Sequence, residues 1–174
     1  MSIATLRDMA DRTITINGMS KTYSVTGWRV GWAIAAKPLA DALKRVHDFL
    51  TVGAPHPLQI AGVTALGMPD SYYRELAAMY RKKRDSFCDA LVDVGLKIAR
   101  PHGAYYVMAD IRDFGDDDAA FARQLVEGAG VAVVPGSSFY SDERVGRRFV
   151  RFMFSKKGAM LEEAIRRLRK IGSR

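Results

Sequence analysis

Residues 20–32 read SKTYSVTGWRVGW. Lys21 lies just past a β-branched run, Thr13 to Asn17 (TITIN), which ends in an Asn17-Gly18 turn, and Arg29 follows the lysine by eight residues. A lysine at a strand end beside serine and glycine is ordinarily a surface residue. Arg29 has a different setting, among Trp28, Val30, Gly31 and Trp32. A guanidinium in apolar surroundings should find an anion, because a buried unpaired charge is expensive. Phosphate suits its planar fork, which takes two oxygens at once. A lysine within reach of a phosphate-anchored cofactor is the arrangement a Schiff base requires.

Working outward, Val30 to Ala36 predicts a second, buried-type strand that stops at Lys37-Pro38, where proline suits the first turn of a helix from Leu39 to about Thr51. Gly53, Pro55 and Pro57 break the chain before a small-residue helix, Leu58 to Leu66. Pro69-Asp70-Ser71 then starts a long helix ending at Gly95, with Tyr73, Leu76, Tyr80, Phe87, Leu91 and Val94 at helical spacings. Strands are predicted over Lys97 to Ala99, Ala104 to Asp110, Val131 to Val134 and Phe149 to Phe154. Helices are predicted over Ala119 to Gly128 and from about Gly158 to Ile171, the last with a stripe of Leu161, Ala164, Ile165, Leu168 and Ile171. Hairpin-paired strands covered by helices on one face make an α+β layer.

Composition sets the outer bounds. The 174 residues suffice for one ordinary domain or two small ones. With 48% hydrophobic and 26% charged residues the chain reads as globular, not disordered or fibrous. No apolar run approaches the ~18 residues of a membrane span, and MSIATLRDMADR lacks a signal-peptide core, so the expected compartment is the cytoplasm. The net charge of +8 sits mostly beyond residue 70, in a basic amphipathic end that reads as a solvated face, so no nucleic-acid partner and no membrane partner are expected. Cys88 is the one cysteine, which excludes an intrachain disulfide, and its helical setting makes it a small buried filler.

The stretch around Lys21 resembles the signature of the class I and II aminotransferases, pyridoxal-phosphate enzymes of fold type I. The matching residues are Ser20, Lys21, Thr26, Gly27, Trp28, Arg29 and Gly31. Further along, Gln59 with Ala61 and Ala65 is similar to the family's small-residue helix, and Pro101, Gly103, Ala104, Tyr105 and Tyr106 to its glycine-aromatic strand. Val134, Pro135, Gly136 and Phe139 resemble its Val-Pro-Gly turn, and Val150, Arg151 and Phe152 the strand that carries its substrate arginine. The resemblance covers nearly the whole chain and corresponds to the C-terminal half of such an enzyme.

What the resemblance implies is an α/β fold, with residues 1–70 the end of a large three-layer cofactor-binding domain and 71–174 a linking helix and small α+β domain. It implies transamination between an amino acid and a 2-oxo acid with pyridoxal 5'-phosphate, in a homodimer. Lys21 would form the Schiff base and move the substrate Cα proton, Arg29 and Ser20 would hold the cofactor phosphate, and Arg151 would grip the substrate α-carboxylate. On pattern alone, Arg151 is equally well an exposed position of the alternating strand FVRFMF. The alternatives are another fold-type-I reaction, β-elimination or decarboxylation, and a non-catalytic binding domain.

The chain departs from the pattern in two places. The family's serine three residues before the lysine is Gly18 here, with Ser20 the nearest substitute. The family's pyridine-nitrogen aspartate, ring-stacking aromatic, ring-oxygen tyrosine and glycine-rich phosphate loop precede this stretch and have no counterpart; Asp8 and Asp11 stand too close to Lys21. His47, His56 and His102 lack metal-site spacing, Asp116 to Asp118 read as helix capping, and Tyr72, Tyr73 and Tyr80 as helix packing.

Overall fold

In a computed structural model that describes residues 2–169, the β-branched run pairs as expected, displaced by a residue or two. Strand β1 (Thr15–Gly18) leads into a single helical turn, α1 (Met19–Thr22), and the chain returns through a 3-10 turn (Thr26–Trp28) into β2 (Gly31–Ile34). β1 and β2 are antiparallel, with Thr15 opposite Ile34 and Gly18 opposite Gly31. A Cβ on Gly31 would stand 2.6 Å from the Asn17 carbonyl oxygen, so this close approach requires glycine.

Helix α2 (Lys37–Thr51) starts with proline in its first turn, and α3 (His56–Leu66) follows the proline-rich break. Both begin two residues earlier than the apolar pattern indicates, because proline is tolerated where the N–H has no intrahelical acceptor. The long helix α4 (Asp70–Asp93) carries Asp70 in its first turn and buries Phe87, Cys88, Ala90 and Leu91 in its last turns. The chain divides into two units, Met1–Tyr73 and Arg74–Arg174.

The second unit is built on a four-stranded antiparallel sheet in the order β3 (Lys97–Ile98), β4 (Tyr106–Asp110), β6 (Phe149–Met153), β5 (Val134–Pro135). Alternation gives β4 and β6 one core face, with Val107, Ala109, Val150 and Phe152 buried. The last turns of α4, together with α5 (Asp118–Ala129) and α7 (Gly158–Arg169), cover that face, and Phe87 meets Phe152 at a ring distance of 5.9 Å. Leu161 and Leu168 are buried and Ala164 and Ile165 pack against the core, as the stripe predicts, while Ile171 lies outside the described residues. Cys88 is fully buried, and burial pushes its thiol pKa up.

The strand expected over Val131 to Val134 is a correction. Only Val134 and Pro135 pair with β6, because the Val131 N–H already donates to the Leu125 carbonyl at the end of α5 (3.2 Å). A short helix, α6 (Glu143–Gly146), precedes β6. Among the described residues, no helix is long and apolar enough to cross a membrane.

Candidate active site

In the first unit, β1 delivers the chain into α1, whose first residue, Met19, is buried and donates its N–H to the Val30 carbonyl (3.1 Å). A Cβ on Gly62 of α3 would come within 3.0 Å of the Met19 sulfur, so a glycine on the small-residue helix makes room for this anchor. Lys21 is exposed on the same turn. Immediately after it, the Thr22 carbonyl accepts a hydrogen bond from the Tyr72 hydroxyl (2.7 Å), and the hydroxyls of Tyr23 and Tyr73 lie 2.7 Å apart. The Tyr23 and Tyr72 rings stack 5.9 Å apart at 10°, and Tyr73 meets both edge-on. Desolvation, the hydrogen bond to Tyr73 and the neighbouring phenols push the Tyr23 pKa up to about 12. Tyr72 and Tyr73, expected only to pack, thus clamp the lysine-bearing turn through their hydroxyls.

Thr26 connects the two ends of the signature. Its hydroxyl donates to the Ser20 carbonyl (3.1 Å), and its own carbonyl accepts from Arg29 Nη1 (3.1 Å). Ser20, Lys21 and Arg29 therefore belong to one hydrogen-bonded loop. Arg29 itself is exposed, which corrects the expectation that its apolar neighbours bury it. The 3-10 turn ends on Arg29 in the left-handed region (φ 56°, ψ 36°), and this reversal leaves Trp28 and Val30 half-buried on either side of an outward arginine. A non-glycine residue held there stores roughly 1–3 kcal/mol of strain. Arg29 lines a cavity of about 680 Å³ beside the hairpin, with Asn17, Trp32, Leu43, Lys44 and His47. Lys21 and Ser20 are not among the residues that line it.

In the second unit, Arg151 lies on β6 opposite Met108 of β4 and Val134 of β5, on the face away from Val150 and Phe152. Its guanidinium carbon is 4.3 Å from the centre of the Phe139 ring and 5.1 Å from that of Tyr106. Its Nε is buried and has no hydrogen-bond partner. A buried donor without an acceptor costs about 1–3 kcal/mol, which a bound carboxylate would relieve. Phe139 comes from the 3-10 turn Gly136–Phe139. Added Cβ atoms on Gly136 and Gly146 would stand 2.4 Å and 2.5 Å from backbone atoms across the contact, so the turn and α6 meet backbone to backbone.

Asp117 caps α5, its carboxylate accepting from the Ala120 N–H (2.9 Å), as the acidic run predicts. Asp118 does something the run does not show: it is 3% exposed, and its Oδ2 accepts from the Ser137 N–H (2.7 Å). Burial pulls its pKa up, but hydrogen bonds from the Ser137 N–H and hydroxyl and from the α5 backbone outweigh this and leave it below the usual range. The sequence signal for this role is weak, an acidic residue at a helix start followed nineteen positions later by the serine of a Pro-Gly-Ser turn.

Residues 1–168 match the family described as aminotransferase class I and II. Kynurenine–oxoglutarate transaminase of Dictyostelium discoideum is 37% identical, over 92% of this chain and 42% of its own length. The solved N-succinyldiaminopimelate aminotransferase of Mycobacterium tuberculosis superposes with a TM-score of 0.87 at 35% identity, over 97% of this chain and 44% of that one. An Escherichia coli protein whose structure identified a methionine aminotransferase function superposes with a TM-score of 0.90 at 32% identity, over 98% and 44%. The chain thus spans less than half the length of the curated relatives it matches.

Proposed function

We propose that this chain, which belongs to the class I and II aminotransferase family, carries the lysine and two arginines with which such an enzyme moves an amino group from an amino acid to a 2-oxo acid on pyridoxal phosphate. The observation that carries this reading is the Thr26 link, which holds the neighbour of Lys21 and the guanidinium of Arg29 in one loop. Residues 1–70 are then the end of the cofactor-binding large domain and 71–174 the linking helix and small domain. Pyridoxal phosphate, when bound, supplies a carbonyl that condenses with amines and a ring that accepts electron density from the substrate Cα.

The chain's own residues do the rest. Lys21 Nζ takes the proton from the substrate Cα, and the Met19 anchor and the tyrosine clamp fix where that amine stands. Arg29, with Ser20 beside Lys21, holds the phosphate; the arginine's strained, outward conformation supports an anion-binding role. Arg151 binds the α-carboxylate, giving its buried Nε an acceptor, while the two aromatic faces hold the guanidinium plane and so the bond presented for cleavage. The working enzyme is read as a cytoplasmic homodimer. The family resemblance supports this.

The test is reductive trapping. Borohydride added to the chain with pyridoxal phosphate should label the peptide that contains Lys21. Arg29→Ala should raise the cofactor concentration needed by about tenfold, equivalent to one charge-assisted hydrogen bond. A label on no lysine, or on a peptide lacking Lys21, overturns the reading. Ammonia or carbon dioxide released from an amino donor and a 2-oxo acid, with no new amino acid formed, would replace transamination by elimination or decarboxylation.

A further inference from the structure

We infer that Asp118 is a positioning residue for Arg151: it pegs the Gly136–Phe139 turn and, through Phe139, sets the plane in which the guanidinium meets a carboxylate. Among the described residues it is the one buried charged side chain. Helix capping alone does not account for it, since Asp117 already caps α5 and Asp118 reaches beyond the helix to the Ser137 N–H. The donors that hold Asp118 are N–H groups of α5 and the N–H and hydroxyl of Ser137, not a cation. An anion kept from water without a countercharge is costly, so the arrangement persists only where several directed hydrogen bonds converge on it.

Their target is a turn with little freedom. Gly136 and Gly146 meet backbone to backbone, so Ser137, one residue on, cannot move without moving this contact. Three residues after Gly136 stands Phe139, which is 44% exposed and so is not held by core packing, yet lies 4.3 Å from the Arg151 guanidinium. The turn's own backbone must place that ring, and Asp118 is the side chain bonded to that backbone. With Phe139 displaced, Tyr106 alone would face the guanidinium, leaving it free to turn about its buried Nε.

This inference rests on the reading of Arg151 as the carboxylate-binding arginine, and the test separates the two. In the full ¹⁵N-labelled chain, the Arg151 Nε–H resonance, assigned by its loss in Arg151→Lys, should be displaced by the ring currents of Phe139 and Tyr106 and protected from exchange. In Asp118→Ala it should move toward the position of exposed arginines and exchange about tenfold faster, as for one lost hydrogen bond to a charged group. The amides of Val107 and Val150 in the paired strands should stay in place, which a general loss of fold would not permit. Asp118→Asn keeps an acceptor for the Ser137 N–H and should fall between; should Asp118→Ala lose the sheet resonances, Asp118→Asn and Ser137→Ala are read in its place. An Arg151 resonance unchanged in position and exchange in the variants read overturns the inference. Acetate titrated into the same samples tests the carboxylate reading. No movement of the Arg151 resonance in the unsubstituted chain removes that role, and Asp118 is then judged on the ligand-free resonance.

Discussion

Phe152 and Phe49 are the same side chain in opposite circumstances, 1% exposed in the second unit and 92% exposed in the first. The contrast extends beyond this pair. In the second unit the sheet and three helices close over a contiguous core. In the first, Met19 is the one buried hydrophobic side chain among the described residues, while Ile16, Ile34, Leu50, Val52 and Val63 are more than half exposed. Arg151 is therefore placed by a packed sheet, whereas the loop of Lys21 and Arg29 is placed mainly by hydrogen bonds, from Tyr72 to Thr22 and from Thr26 to Ser20. Packing resists the loss of a single contact less well than its total suggests, because each cavity remains. Polar clamps lose one bond at a time.

The largest effect should come from Phe152→Ala, at about 3–5 kcal/mol of stability for a buried aromatic truncated in a packed core. Phe49→Ala should stay within about 0.5 kcal/mol. Denaturant melts of the two variants showing equal losses would erase the contrast. Gly136→Ala comes next: the added carbon meets two carbonyl oxygens at 2.4 Å. An overpacking loss of about 1–3 kcal/mol is expected, visible as a lower Tm.

Tyr72→Phe probes the first unit. Removing the donor to the Thr22 carbonyl should cost about 1 kcal/mol, seen as faster amide exchange over residues 19–23 with the second unit unchanged. The smallest effect is one of pH. Glu163 is pulled from 4.5 down to about 2 by hydrogen bonds from Arg166 and then Arg167. A depressed carboxyl stabilises the fold above its unfolded value, and that stability disappears as pH falls through the folded one. Glu163→Gln should thus lower Tm slightly at neutral pH, and the difference should shrink as pH falls below about 4.5 and vanish only below about 2. A difference constant across that range would mean the ion pairs contribute nothing.

Legibility in the sequence follows the same divide. Where periodicity carries the information, the elements appear where the pattern puts them: α4 with Phe87 and Leu91, α7 with Leu161 and Leu168, and β6 with its alternating Val150 and Phe152. The signature from Ser20 to Gly31 was legible as chemistry, but its conformation was not. Nothing in a one-dimensional string places Arg29 in the left-handed region and turns it outward from its tryptophans. Tyr72 and Tyr73 stand at helical spacing in α4, and only a partner fifty residues away shows that their hydroxyls do the work. Asp118 was hidden for the same reason, since its acceptor role depends on a turn supplied by a later segment. Val131 misled because a β-branched run says nothing about an N–H already taken by a helix end.

The left-handed backbone at Arg29 also has an evolutionary reading. Glycine occupies that conformation without strain, so Arg29→Gly would relieve the backbone while discarding the guanidinium. Selection for thermal stability alone should drift toward glycine at position 29, and selection for the phosphate-holding role proposed for Arg29 should keep arginine there. The two regimes compete at a single codon, and the residue found in a population of variants reports which of them has been acting.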